Sequence, residues 1–193
     1  MKKIKPGCFD CANAVCDECD PNQYARGIGD INSNALGSGA RYNAGKPALD
    51  LIPAKVIAET LSLFCSTVND KPWLTALTAI GRFQMREADV EGLYDALAFL
   101  GNPADVWREC AAVFDYGRNK YAAWNWAKGM PWSVPIGCAM RHILFGPLAG
   151  EELDPESGLS HRGHVACNLV MLIYYFDHYP EGDDRPSKPE TTV

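Results

Sequence analysis

Apolar residues recur at helical spacing through most of the chain between residues 53 and 176, and no useful stretch alternates with the two-residue period of a half-buried strand. The pattern predicts an all-α protein. Pro53 opens a helix running to about Val68, with Val56, Ile57, Thr60, Leu61 and Phe64 on one face. Asn69-Asp70-Lys71-Pro72 ends it, and a short helix over about Trp73–Ile80 follows. A longer one over 82–100 then turns Val90, Leu93, Leu97 and Leu100 inward. Asn102, Pro103 and Asp105 form a good helix start, and that helix carries Val106, Cys110, Val113 and Phe114 to a stop at Gly117. The most apolar helix begins near Ser160, with Val165, Leu169, Leu172, Ile173 and Phe176 as core formers.

That last helix carries a polar stripe. His161, His164 and Asn168 fall at i, i+3 and i+7, and polar groups on an apolar helix must face a partner or a site. Just upstream lies a dense acidic turn with Glu151, Glu152, Asp154 and Glu156, and Arg141-His142 closes the helical segment before it. Carboxylates, imidazoles and an amide converging from two helices suit a hard divalent cation beside a phosphate. A helical hairpin with a solvated acidic loop and hydrogen-bonded core histidines fits the same residues. Glu87, Glu91 and Asp95 also line up along a helix, where a solvated acidic face is the commoner explanation.

A second segment, RNKYAAWNWAKGMPWS over 118–133, is basic and strongly aromatic. Lys120 and Lys128 are placed to meet phosphates, Tyr121, Trp124 and Trp126 to stack on a base, and Asn125 to read a base edge or a sugar. Core packing of a helix-connecting loop is the plainer reading of the tryptophans. Residues 41–52 add Arg41 and Lys46, but without the glycine spacing or the Lys-Ser/Thr ending of a phosphate loop.

Composition narrows the partners. A chain of 193 residues with 47% hydrophobic and 22% charged residues has the make-up of a soluble globular protein, one medium domain with appendages. Its net charge of −6 argues against a nucleic-acid polymer as partner, though a small nucleotide stays possible. The first residues carry no apolar leader, and the longest apolar run is too short to span a bilayer, so no membrane association is expected and the location reads as cytoplasmic. Residues 1–40 form a separate region. Cys8, Cys11, Cys16 and Cys19 make two CxxC pairs that suit a structural zinc ion, although the spacer is shorter than the ribbon spacing of about 15–20 residues. An iron–sulfur centre and an unliganded reduced tail remain alternatives. The glycine-rich run to Gly39 reads as a linker, and the other four cysteines as small buried apolar residues. The residues after 178 read as a polar, Pro-rich tail that is disordered or docks loosely.

Three stretches taken together are specific: RYNAGKPALDLIP, VFDYGRNKYAAWNW and RHILFGPLAGEELDPESGLSHRGHVACNL. In this order, with the patterns YGxxKYxxxNW, RH and GExxDxESGxxHxxHxxxN, the chain resembles the phage dATP/dGTP diphosphohydrolase family, thought to be related to MazG-like all-α nucleoside triphosphate pyrophosphohydrolases. The resemblance covers about 41–56 and 110–176, within a domain over 41–178 in which about 57–105 looks like an insertion. It implies a helical bundle of the MazG-like type with a Cys-rich appendage. The implied activity is hydrolysis of purine deoxynucleoside triphosphates to monophosphate and pyrophosphate on Mg²⁺ or Mn²⁺, which would shape a phage dNTP pool. A homo-oligomer is implied as well.

Carried over by position, Tyr116, Gly117, Lys120, Tyr121, Asn125 and Trp126 match the first pattern. Arg141, His142, Glu151, Asp154, Glu156, Ser157, His161, His164 and Asn168 match the other two. On this reading Glu151, Asp154, Glu156, His142, His161 and His164 are the metal ligands, and Glu151, Glu156 and His161 carry the catalysis. Lys46, Lys120, Tyr121, Asn125, Trp126, Arg141 and Asn168 hold the substrate. The chain departs from the related proteins at Pro147, inside an expected helix, and in lacking the ExxE and ExxD signatures. A zinc-stabilised helical adaptor or nucleotide-binding protein without catalysis is the competing reading.

Overall fold

A computed structural model describes residues 29–43, 46–64 and 67–187. The described residues form six α-helices with short 3-10 turns before α1, on either side of α5 and after α6, and contain no β-strand, though a bridge pairs Leu153 with Ser160. The helices are α1 (Ala54–Ser62), α2 (Lys71–Gln84), α3 (Glu91–Phe99), α4 (Pro103–Lys120), α5 (Ser133–Leu144) and α6 (His161–His178). The two CxxC pairs at Cys8, Cys11, Cys16 and Cys19 lie outside the described residues. No described helix is long and apolar enough to cross a membrane.

Helix α6 is the axis. Val165, Leu169 and Leu172 are buried together with His161, His164 and Asn168, so almost every side of the helix meets protein. Its start is set by Ser160, whose hydroxyl accepts from the Arg162 amide at 3.1 Å. It packs against α5 on one side and α4 on the other. Against α4 the approach is close enough that a Cβ on Gly163 would sit 2.7 Å from the Glu109 carbonyl oxygen. Helices α1, α2 and α3 form a second layer, joined to the first through α2–α5 and α3–α6 contacts. Between the layers Phe83 stacks on Trp132 with centroids 5.8 Å apart, and each large buried side chain of this kind contributes about 1.5–3 kcal/mol.

Several element limits differ from those read off the periodicity. Helix α1 ends at Ser62 and turns Ala54 and Ala58 inward, leaving Val56 and Phe64 exposed. The reason is the tight α1–α2 contact, where a Cβ on Gly81 would fall 2.2 Å from the Lys55 nitrogen; only small residues fit there. Helix α2 runs unbroken across the expected junction near residue 81 and stops at Gln84. Its end is a Schellman turn: Arg86 takes the left-handed conformation (φ 55°), its amide bonds Phe83 O at 3.1 Å, and the Glu87 amide bonds Arg82 O at 2.8 Å. The Glu87–Glu91–Asp95 row is therefore broken, and Glu87 pairs with Lys55 at 2.8 Å instead. Helix α4 starts as expected at Asn102, whose side chain accepts from Ala104, but Gly117 does not end it. A Cβ at Gly117 would meet open space.

The segment after α6 docks firmly. Arg185 lies over the Phe83 and Trp132 rings at 4.1 and 4.8 Å, and donates to Phe83 O and to Asp183. Asp183 also receives Arg86 at 2.7 and 3.1 Å. Burial alone would raise the Asp183 carboxyl, but its hydrogen bonds from Arg185 and Arg86 outweigh that and hold it at about 2. Asp184 accepts from Ser133 at the start of α5, a favourable place for a carboxylate.

Candidate active site

A cavity of about 620 Å³ opens between the C-terminal half of α4, the 121–130 connection, α6 and the 40–46 segment, a size that fits a small organic ligand. Part of its wall is aromatic, with Phe114, Trp126 and Trp124; the Trp126 centroid lies 5.1 Å from that of Phe114 and 5.8 Å from that of Trp124. The backbone that presents these rings is pinned from behind, since Tyr175 donates its hydroxyl to Trp126 O at 2.6 Å.

Cations line it as well, among them Arg41, Lys46 and Lys120. Arg41 is held by Asn168, whose amide oxygen accepts from the guanidinium at 3.0 Å while its nitrogen donates to His164 O at 2.7 Å. Asn168 thus acts on the site through Arg41. Lys120 lies 5.6, 5.9 and 5.8 Å from the ring centroids of Tyr42, Tyr116 and Tyr121, a cation among three aromatic faces. Lys120 and Lys46 both reach Glu156, at 2.5 and 2.8 Å. Burial pushes the Glu156 carboxyl up, but the hydrogen bonds from Lys120 and Lys46 outweigh it and leave it at about 2. Glu156, expected among the metal ligands, is turned to these lysines.

Beside the lysines the histidines converge. His142 comes from the last turn of α5, and His161 and His164 from the first turn of α6. His142 Nδ1 and His161 Nδ1 are 3.1 Å apart, and the His142 ring stacks on His164 with centroids 4.2 Å apart. Burial, helped by the neighbouring His164 and Arg41, pushes His142 down to about 2, and burial outweighs Asp154 to bring His164 to about 4. Both imidazoles are neutral at pH 7 and carry a lone pair. The acidic turn is closed over them by the Leu153–Ser160 bridge and by the Gly158 amide on Asp154 O at 2.8 Å. Asp154 is thereby carried inward, accepting from the Ser157 amide and hydroxyl at 2.9 and 2.8 Å, while Ser157 Oγ also meets His164 Nε2 at 2.8 Å. One ligand atom each from His142, Asp154 and His161 lies within 4.8 Å of the others, a grouping able to hold a metal ion. His161 Nε2 is buried without a hydrogen-bond partner.

The remaining expected residues stand apart from this cluster. Pro147 begins a short 3-10 turn rather than continuing a helix, so Glu151 sits in the loop, exposed, with its Oε2 3.6 Å from His161 Nε2. Arg141 does not line the cavity; it bonds Pro47 O and Asn43 Oδ1 at 3.0 and 2.9 Å and so anchors the stretch that carries Lys46. Asn125 faces the cavity but spends both ends of its amide on the Ala40 backbone, at 3.2 and 2.9 Å. Tyr121 accepts from the Tyr42 amide at 3.0 Å, and Lys128 is drawn away to Ser33 O at 2.7 Å. Arg41 and Tyr42 are wall residues that the periodicity does not reveal.

A family model described as dATP/dGTP diphosphohydrolase, N-terminal, matches residues 85–185, which takes in α3 to α6, the aromatic wall and the histidine cluster. A protein of Salmonella phage PMBT28 named dATP/dGTP diphosphohydrolase is 31% identical over 77 residues, covering 40% of this chain and 26% of that one. The chain thus spans about a quarter of that relative's length. No solved structure matches. The family match starts at residue 85, so Arg41 and Lys46 lie before it. Extending over just more than half of the sequence and over the histidine and acidic elements of the site, it makes this chain a member of the dATP/dGTP diphosphohydrolase N-terminal family.

Proposed function

We propose that the cavity binds a purine deoxynucleoside triphosphate and that the protein hydrolyses it to the monophosphate and pyrophosphate with a divalent metal ion. The observation that carries this reading is one cavity lined both by aromatic rings and by Arg41, Lys46 and Lys120, together with His142 and Asp154. The purine stacks on Trp126 and Phe114. The polyphosphate lies along Arg41, Lys46 and Lys120, taking the place of Glu156 on the two lysines, so that one anion replaces another. His142, His161 and Asp154 would hold the ion, which would supply Lewis-acid polarisation of the phosphoryl group and a more acidic water. The water oxygen bonds to the α-phosphorus, the bond from that phosphorus to the bridging oxygen breaks, and pyrophosphate leaves with its charge met by the lysines. Glu151, the carboxylate of the turn that stands beside His161 uncommitted to a lysine, takes the water's proton.

The test is incubation with each of the eight common NTPs and dNTPs and divalent metal, followed by chromatography of the products. Monophosphate from purine dNTPs, lost in Glu151→Gln, is the expected result. Consumption of none of the nucleotides overturns the reading.

A nucleotide-binding module without catalysis is the second reading. It is favoured by the acidic turn, where Glu156 is engaged by two lysines and Glu151 is exposed, so that one carboxylate, Asp154, reaches the histidines. Here a nucleotide raises the melting temperature yet comes through incubation intact. A homo-oligomer, the expectation from the family resemblance, is tested by light scattering of the full chain.

A further inference from the structure

The acidic turn brings only one carboxylate to the histidines. Mg²⁺ demands near-octahedral oxygen ligands and keeps several waters, usually binding through one or two carboxylates together with substrate phosphates. Of the acidic turn, Glu156 is engaged by two lysines and Glu151 is exposed, and only Asp154 is carried to the histidines. What the fold does gather is imidazole. The Nδ1 atoms of His142 and His161 face one another at 3.1 Å, the separation of two ligands at about 2.1 Å from one ion with an angle of about 95° between them. The His161 side chain, only 4% exposed, meets His142 through Nδ1, while its other ring nitrogen, Nε2, is buried without a hydrogen-bond partner. Asp154 supplies one negative charge within 4.8 Å. Two imidazoles and one carboxylate on one side of an ion form a facial set, the donor arrangement of first-row transition metals.

We infer that His142, His161 and Asp154 form a resident site for a first-row transition metal of borderline softness, filled before nucleotide binds, and not a magnesium site completed by the substrate. The inference deepens the proposed function by naming the ion class, but its test reads metal and not turnover. The ligands come from α5, from α6 and from the loop between them, so an ion there ties two helix ends and the acidic turn together. That predicts a rise in melting temperature with metal alone, in the absence of any nucleotide.

The experiment uses the untagged full chain in which Cys8, Cys11, Cys16 and Cys19 are replaced by serine, so that N-terminal thiolates do not compete. Cobalt(II) is titrated against it in excess Mg²⁺, and the visible absorption and melting temperature are read. The expected result is one Co²⁺ per chain, with ligand-field bands free of thiolate charge transfer and a raised melting temperature. His161→Gln and Asp154→Asn each weaken the binding by at least about tenfold, by analogy with the loss on removing even an outer-sphere partner. Glu87→Gln, at a residue that pairs with Lys55 in the second helical layer, leaves it unchanged. Equal competition by Mg²⁺, absence of binding, or binding indifferent to both ligand variants overturns the inference. The wild-type competition with Mg²⁺ needs no ligand variant to fold. Stoichiometric Co²⁺ binding without dNTP consumption sinks the hydrolase reading and leaves this one standing; turnover with Mg²⁺ alone and no Co²⁺ binding does the reverse.

Discussion

Two places in the molecule set one carboxylate between two cations, and they do so to different ends. Asp183 sits between Arg86 and Arg185, and Glu156 between Lys46 and Lys120. In both, hydrogen bonds from the cations outweigh burial and bring the carboxyl to about 2. The arginine cluster is closed. Arg185 is 7% exposed, its face lies on Phe83, and its remaining donors and those of Arg86 go to backbone carbonyls. The lysine pair is open. Its side chains are 38% and 26% exposed, they are point charges on flexible stems, and the space beside them is the cavity. A depressed carboxyl therefore does not by itself distinguish a staple from a site; the free volume and the kind of cation do.

The comparison is broken most forcefully at the staple. Asp183→Ala leaves two arginines unpaired against the core and should cost about 3 kcal/mol, read as a lower denaturant midpoint. Nucleotide affinity of the folded fraction should not change. Acid gives a gentler version. The Asp183 carboxyl is lowered from 3.8 in the unfolded chain, so its contribution is complete above that value and is lost as pH falls towards about 2. A loss of about 2 kcal/mol over that window is expected, absent in Asp183→Asn, in stability measured from pH 5 to 2. At the open pair, Lys120→Met should weaken binding of a non-hydrolysable dATP analogue about tenfold by calorimetry, with little change in stability. Glu156→Gln should shift stability by less than about 0.5 kcal/mol, as for other exposed pairs, and should tighten nucleotide binding because the competing anion is gone. Weaker binding in that variant would mean that Glu156 serves the ligand directly.

The core helix of the site was legible in the sequence because periodicity reports it. His161, His164 and Asn168 lie on α6 as their spacing requires, and Asn102 and Ser160 cap their helices. The aromatic wall was legible from composition, since Trp126 and Tyr121 line the cavity. What stayed hidden depends on contacts far apart in the chain. Arg41 was visible only as part of a basic loop; its place in the wall depends on Asn168, 127 residues on. The segment after α6 docks through Arg185 and Asp183 and a single packed aromatic, Tyr179, with no apolar period, so its sequence looks like a loose tail. The break between α2 and α3 uses Arg86 where glycine is the usual signal. Polar residues are ambiguous for the same reason: Asn125 and Arg141 look equally suited to a ligand and to a backbone carbonyl.

Gly117 bears on attempts to engineer the protein. It lies inside α4, where alanine would raise helix stability by about 0.5–1 kcal/mol, and a methyl group there would touch nothing. By any protocol for thermostabilisation it is among the first positions to change. It also lines the cavity, so the unfilled space beside it is room kept for a guest. A hardier variant made at this position would be bought with occupancy.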